Sequence, residues 1–210
     1  MRRKILVLLS SLLSAVAVAQ TDLGMWNGIA FEKELSKQFE FQMEEEIRFL
    51  DNITRINSLL TELGLIYKPN KYYRLGLSYR FTYQPENGAI GNRITLSNEA
   101  RYKLQDFTFT YRLNFQQDFT TKDPIEYKIR NRLGIDYKIN KHWEVGMAGE
   151  LFYSLYYNRN MFDRYRLKWG VDHRFNKHHS LGFTLIFQEE FNVASPDREV
   201  ILATKYKYSF

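Results

Sequence analysis

The sequence predicts an all-β protein: a closed, antiparallel, up-and-down transmembrane β-barrel of about 10–12 strands. Three observations point there. Stretches of roughly twelve residues alternate an apolar or aromatic side chain with a polar one, the period-2 signature of a strand with two different faces. They follow an N-terminal segment with the anatomy of an export signal. Aromatic residues crowd the stretch ends and the terminus, at Tyr206, Tyr208 and Phe210. A bilayer core leaves no backbone polar group unpaired, so a chain that crosses it with strands must close them into a barrel.

The export segment comes first. Arg2, Arg3 and Lys4 precede an apolar run from Ile5 to Val18, and Ala17, Val18 and Ala19 form a small-residue cleavage site. Residues 1–19 are therefore expected to be a cleaved signal peptide for Sec-type export to the periplasm, and 20–210 a single barrel domain maturing at Gln20. The chain has no cysteine, so neither lipidation nor a disulfide is available to it. Removing the three basic signal residues from 30 Lys+Arg leaves 27 against 24 Asp+Glu, which lowers the net charge from +6 to +3. The basic residues are scattered through the alternating stretches, so a nucleic-acid partner is not expected. After Ala19 no apolar run approaches the roughly eighteen residues of a spanning helix.

Eleven strands follow from the alternation, near 25–35, 38–50, 56–68, 72–84, 93–104, 107–119, 125–137, 142–154, 162–175, 180–191 and 199–210. The clearest sets Tyr73, Leu75, Leu77, Tyr79, Phe81 and Tyr83 on one face against Arg74, Gly76, Ser78, Arg80 and Thr82 on the other. Another sets Phe107, Phe109, Tyr111, Leu113 and Phe115 against Thr108, Thr110, Arg112 and Asn114. All four prolines, Pro69, Pro85, Pro124 and Pro196, fall between strands, where a missing N–H breaks no ladder. Single-chain bacterial barrels generally have an even strand count, which favours twelve and leaves the irregular first segment, Gly24 to Gly28, as a candidate for two pieces or a luminal segment.

Connections near Lys37, Pro69 to Lys71, Gln105 and Asp106, Lys138 to Lys141, and Asn176 to His179 read as tight. Those at Pro85 to Asn92, Leu155 to Met161, and Asn192 to Arg198 read as longer. Short turns belong in the periplasm and long loops outside. On that orientation Tyr67, Tyr73, Tyr102, Phe107, Tyr137, Trp143 and Phe175 form the inner aromatic girdle. Phe49, Tyr83, Phe119, Tyr127, Tyr153 and Tyr165 form the outer one. Periodicity alone does not say which face is outward, so a secreted β-sandwich or lipocalin-like barrel with the apolar face buried is the alternative.

The chain also resembles an uncharacterised outer-membrane barrel family of Gram-negative bacteria, a domain of unknown function. The resemblance rests on Trp26, the segment Glu44-Glu45-Glu46-Ile47-Arg48-Phe49, the triplet Tyr79-Arg80-Phe81, Arg130-Asn131-Arg132-Leu133-Gly134, and the terminal Tyr206-Lys207-Tyr208-Ser209-Phe210. It implies the barrel fold and an outer-membrane location, and transfers no catalytic residue.

Function, if it resides in the wall, belongs to the inward face. The candidate lumen network is Glu44, Glu46, Glu62, Arg80, Glu99, Arg112, Arg130, Glu150, Arg166 and Lys168. Unpaired charges in a narrow lumen are costly, so these residues are expected to pair. They would then act either as a salt-bridged filling or as a charged constriction that selects small solutes. Gly64, Gly76, Gly134, Gly146, Gly170 and Gly182 share the inward phase, a low-bulk belt that serves either curvature or space for Gln20 to Gly24 or a solute. Glu45 falls in the outward phase with Phe41, Met43 and Ile47, a cost that a β-bulge or a position near the headgroups would relieve.

His142, His173, His178 and His179 all fall near predicted periplasmic turns, away from the outer leaflet, and neither Ser154 nor Ser180 sits in a nucleophile motif. No catalytic, cofactor-binding or metal-binding residue is therefore assigned. The expected function is a non-enzymatic structural or binding barrel. A small-solute channel is the alternative, and a lipid-modifying enzyme a more remote one. Expected partners are outer-membrane lipids, the barrel assembly machinery, for which Tyr206, Tyr208 and Phe210 would be the signal, and a small solute or a surface ligand. The surface ligand would be met by a loop bearing Tyr156, Tyr157, Asn158 and Arg159.

Overall fold

The structure, a computed structural model, describes residues 21–120, 125–155 and 160–210. The signal segment, Gln20, Pro124 and the loop residues Tyr156 to Arg159 lie outside the described residues. Eleven strands form one closed barrel: β1 (Asp22–Glu34), β2 (Phe39–Leu50), β3 (Arg55–Tyr67), β4 (Tyr73–Gln84), β5 (Ala89–Leu104), β6 (Phe107–Thr120), β7 (Glu126–Lys138), β8 (Trp143–Leu155), β9 (Asn160–Arg174), β10 (His179–Glu190) and β11 (Arg198–Ser209). Each matches a stretch of alternation. The largest shifts are at the starts of β1 and β5, which begin earlier than the pattern suggests.

The parity argument for twelve strands does not hold. Gly24 to Gly28 are continuous wall within β1, and the count is odd. When every sequence neighbour pairs antiparallel, an odd number of strands closes only if the first and last run parallel. β1 and β11 do so, from Asp22 opposite Glu199 to Glu32 opposite Ser209. The barrel is therefore antiparallel except at one seam. β1 starts at the same end as β11, so Asp22 to Gly24 sit in the wall at the end opposite most of the glycines and do not fill the belt.

The outward face is apolar all round. In β4 the exposure alternates without a break, with Tyr73, Leu75, Leu77, Tyr79, Phe81 and Tyr83 exposed and the residues between them partly buried. Leu133 is 66% exposed and Leu96 55%. The buried residues instead include Glu99, Gln116, Glu150, Arg166 and Gln188. Water does not tolerate such a continuous apolar surface, whereas hydrocarbon requires it. This inversion removes the sandwich and lipocalin-like alternatives. The girdle aromatics gather at the two rims, where Phe107 meets Tyr137 with ring centroids 4.7 Å apart and Tyr153 meets Phe162 at 4.8 Å.

Four of the five turns at one end share a device, the exception being the tight β5–β6 turn at Gln105 and Asp106. Asn70 Oδ1 accepts from the N–H groups of Tyr72 and Tyr73, Asn140 Oδ1 from His142 and Trp143, and Asn176 Oδ1 from His178 and His179. Ser36 Oγ does the same for Gln38 and Phe39. A short polar side chain thus satisfies the donors that each reversal exposes. At the other end the β4–β5 connection is shorter than the sequence suggests, because β5 already begins at Ala89, after a turn with Gly88 at φ 66°, whereas residues 191–197 between β10 and β11 have the length expected. These two rims are called the turn end and the loop end below. A strained segment lies at the loop end: Asp51, Asn52 and the β-branched Ile53 all have positive φ (52°, 56° and 68°). The Asp22 carboxylate holds it by accepting from the N–H groups of Asp51 (3.0 Å) and Asn52 (2.8 Å).

Glu45 corrects a further expectation. It is the seventh of the twelve residues of β2, exposed on the outer face, and the register there is continuous with both neighbours. The register shift of this strand pair lies opposite Arg48 and Phe49, where Asn57 of β3 is the extra residue. Neither a bulge nor proximity to headgroups relieves Glu45. Its relief is a hydrogen bond from Thr61 Oγ1 at 2.8 Å on β3.

Candidate functional site in the barrel lumen

Alternation on β7, β8 and β9 aims Arg130, Arg132, Glu150, Phe152, Arg164, Arg166 and Lys168 into the lumen, and register decides how they meet. Glu150 stands opposite Arg132 on one side and Arg166 on the other. Arg130 and Lys168 occupy the diagonal positions, within reach of long side chains. The Glu150 carboxylate, with its side chain 0% exposed, therefore meets four cations. They are Arg130 at 2.7 Å, Lys168 at 3.0 Å, Arg166 at 3.3 Å and Arg132 at 3.7 Å.

The other members of the sequence-derived set lie apart from this cluster, each in its own pair. Glu62 binds Arg80 at 2.5 Å, Glu99 accepts from Arg112 Nε at 2.8 Å, Glu46 binds Arg48 at 2.6 Å and Glu44 binds Lys205 at 2.6 Å. Arg48, Arg132, Arg93 with its partner Asp118, and Lys205 join the lumen charges without belonging to the sequence-derived set. Their inward phase was readable, but which charges meet is a matter of register.

Two aromatic rings complete the arrangement. Trp26 on β1 and Phe152 on β8 both point inward although four strands apart around the wall. The Arg166 guanidinium lies 5.2 Å from each ring centroid. Arg48 stacks on the other contact of Trp26 at 4.0 Å, and Arg130 lies 5.3 Å from Phe152. Arg166 Nε also donates to Gln188 at 2.9 Å. Trp26 packs in turn on Ile186 and Ile201 of the adjoining strands β10 and β11. A polar cavity of about 660 Å³ runs along the lumen, lined from Arg93, Gln116, Lys128 and Arg164 on the loop-end side, past Trp26, Phe152 and Arg166, to Gly146, Gly182, Asp136 and Asp172 on the turn-end side. Arg and Lys outnumber Asp and Glu along its lining. An apolar depression of about 860 Å³ near Tyr111, Leu133, Met147, Gly149, Leu167 and Trp169 has the character of a lipid-facing surface.

Four of the six glycines of the belt have a local explanation, which Gly64 and Gly170, where a Cβ would meet only ordinary contacts, do not share. A Cβ on Gly146 or Gly182 would collide with the carboxylate of Asp136 or Asp172 on the next strand, and one on Gly76 with Ser97 Oγ. At Gly134 it would lie 2.6 Å from Thr110 Oγ1. Each of these glycines faces a short polar residue across the ladder, and the tip of that residue folds over the space. Neither Asp22 to Gly24 nor a solute is needed to fill it.

The histidines are engaged at the turn end. His142 Nδ1 lies 2.8 Å from the carbonyl of Arg174, and His178 Nδ1 lies 2.6 Å from that of Ser209. His179 Nδ1 lies 2.5 Å from the Tyr206 hydroxyl, and the His173 ring packs 4.3 Å from Trp143. Ser154 is buried near the loop end of β8, and Ser180 points into the lumen while His179 points out. Tyr206 and Tyr208 face outward on β11, and Phe210 packs edge-on against Tyr208 at 4.7 Å while its N–H donates to the Glu32 carbonyl at 2.9 Å.

Residues 23–199 match the family model described as protein of unknown function (DUF2490). The chain belongs to that family. Among solved structures, this DUF2490 protein is similar to a bacterial polysaccharide outer membrane secretin, with a TM-score of 0.56 and 11% identity over 80% of this chain and 63% of that one. It thus spans less than two thirds of that protein's length. An anion-selective porin from Comamonas acidovorans matches at TM-score 0.44 and 13% identity, over 83% of this chain and 54% of the porin. The beta domain of the Bordetella autotransporter Brka matches at 0.48 and 13%, over 84% and 86%. At such identities the likeness is one of fold. No curated protein matches.

Proposed function

We propose that this DUF2490 protein is an integral β-barrel of the bacterial outer membrane, exported by a Sec-type signal, with a structural or binding duty and no catalytic one. Its lumen is blocked to bulk flow by its own side chains. The observation that carries the reading is Arg166 held between Trp26 and Phe152 across the lumen, with Gln188 and Glu150 fixing its other donors. A guanidinium satisfied on all sides and stacked on two rings is a filling, as small barrels commonly have. A non-enzymatic role is supported by the histidines, which lie at the turn end engaged with carbonyls, a tyrosine or packed rings; Ser154 lies near the other end, and Ser180, next to His179 in the chain, faces the lumen while His179 faces out. The partners on this reading are outer-membrane lipids around the apolar face and the assembly machinery at β11. The turn end then faces the periplasm.

Recording from refolded protein in a planar bilayer tests the proposal: no discrete conductance steps are expected. A second reading, a small-solute channel, is favoured by the cation-rich cavity. It requires steps whose size changes when Arg80, Arg112 or Arg130 is replaced by Gln.

A further inference from the structure

The register of the inner face twice sets arginine directly opposite arginine: Arg80 opposite Arg93, and Arg112 opposite Arg132. Like charges in direct cross-strand register destabilise a sheet unless each turns to its own counter-charge. Arg80 turns to Glu62, Arg93 to Asp118 and Arg112 to Glu99. Arg132 has no such partner. Its one ion pair among the described residues is the 3.7 Å approach to Glu150, a carboxylate already held more closely by Arg130, Lys168 and Arg166. Arg132 Nε is buried with no hydrogen-bond acceptor, and so is Arg130 Nε. One carboxylate thus serves four cations along the lumen, an excess of positive charge that the wall does not neutralise.

We propose that a small oxyanion of the phosphate or sulfate class binds in the lumen between Arg132 and Lys168, with Arg112 at its edge. The site lies on the lining of the 660 Å³ cavity, which holds such an ion with room for a small group esterified to it. Arginine presents a planar fork of donors that suits tetrahedral oxyanions, and Lys168 adds a point charge. Negative groups bound the site. Glu99 occupies the near side of Arg112, and Asp136 lies two inward positions along β7, beyond Gly134. The bound anion takes the counter-charge role for Arg132 that Glu62, Asp118 and Glu99 take for the other three arginines. This inference goes beyond the proposed function and needs only an enclosed lumen, whether or not it conducts.

The test uses the full mature chain refolded in zwitterionic detergent, with its urea unfolding midpoint measured against inorganic phosphate and against sodium chloride at matched ionic strength. The midpoint should rise saturably with phosphate and not with chloride. Arg132→Gln should lose the phosphate-dependent rise and, without phosphate, unfold at a midpoint no lower than that of the parent. Lys207→Gln, which alters a cation paired with Glu32 nearer the turn end, should keep the rise. A parallel titration with glycerol phosphate separates a site for the free ion, which gives no rise, from one that also takes phosphate esters. Equal effects of phosphate and chloride on the parent protein, or a full phosphate response in Arg132→Gln, would overturn the proposal. The first comparison needs no variant to fold. Conductance, which bears on the blocked lumen, is read separately.

Discussion

Replacing Glu150 with Gln keeps the shape of the side chain and one acceptor oxygen but removes the only negative charge among four cations. Removing one partner of a buried ion pair typically costs about 3–5 kcal/mol, because the remaining charge is left uncompensated. Here at least two partners, Arg130 at 2.7 Å and Lys168 at 3.0 Å, lose a close counter-charge. The same range serves as a lower bound, since the freed cations also repel one another. The converse change should be mild. Lys168→Gln leaves three cations on the carboxylate and relieves crowding, so its effect should stay within about 1 kcal/mol. Urea unfolding of the refolded barrel in lipid vesicles, followed by the fluorescence of its three tryptophans, Trp26, Trp143 and Trp169, reads both. The double variant should recover part of the loss of the single Glu150 change, which the cycle isolates. Equal costs for the two single variants, or a cost below about 1 kcal/mol for Glu150→Gln, would refute the view that one carboxylate organises the cluster.

Glu45→Gln should stabilise the inserted barrel by about 1–2 kcal/mol, since it removes a lipid-facing charge at mid-strand while keeping an acceptor for Thr61; a loss of stability in vesicles would contradict the placement. Gly146→Ala should be nearly neutral, because the Asp136 carboxylate can rotate away, whereas Gly146→Leu should cost about 1–3 kcal/mol by overpacking; equal unfolding midpoints would refute the cross-strand account of the belt. Ile53→Gly should stabilise by about 1 kcal/mol by removing a β-branched residue from positive φ, checked by the same denaturation. Phe210→Ala should lower the amount of barrel inserted in cells, measured by surface proteolysis and heat-modifiable gel migration, and unchanged insertion would remove Phe210 from the assembly signal.

Much of the wall is legible in the chain because a strand writes its two faces in alternate letters. Tyr73 to Tyr83 and Phe107 to Phe115 give the strands and their two faces, and the exposure of the apolar face says which one is outward. What alternation does not encode is which residue of one strand meets which residue of the next. Glu150 looks like any other inward acid until register sets Arg132 and Arg166 on either side of it. The same blindness hides the partners of Gly146 and Gly182, and the Thr61 contact that serves Glu45 in place of a bulge. The odd strand count went against an argument from parity, because closure is a property of the ring and no local pattern carries it. The turns do carry a local signal: Asn70-Lys71, Asn140-Lys141 and Asn176-Lys177 each precede two bulky residues whose N–H groups the asparagine caps.

The parallel seam has a kinetic consequence. Ten of the eleven strand junctions join neighbours along the chain and can zip one after another, but the β1 and β11 contact links residues nearly a whole chain apart, Leu23 with Val200 and Phe31 with Tyr208. Loop closure of that span comes late in any folding route. Until then the molecule is a curled ribbon with two raw edges, one of them β11 with its tyrosines. Such a ribbon would stick to others of its kind in water, so the rate of edge capture should decide how much chain becomes a barrel.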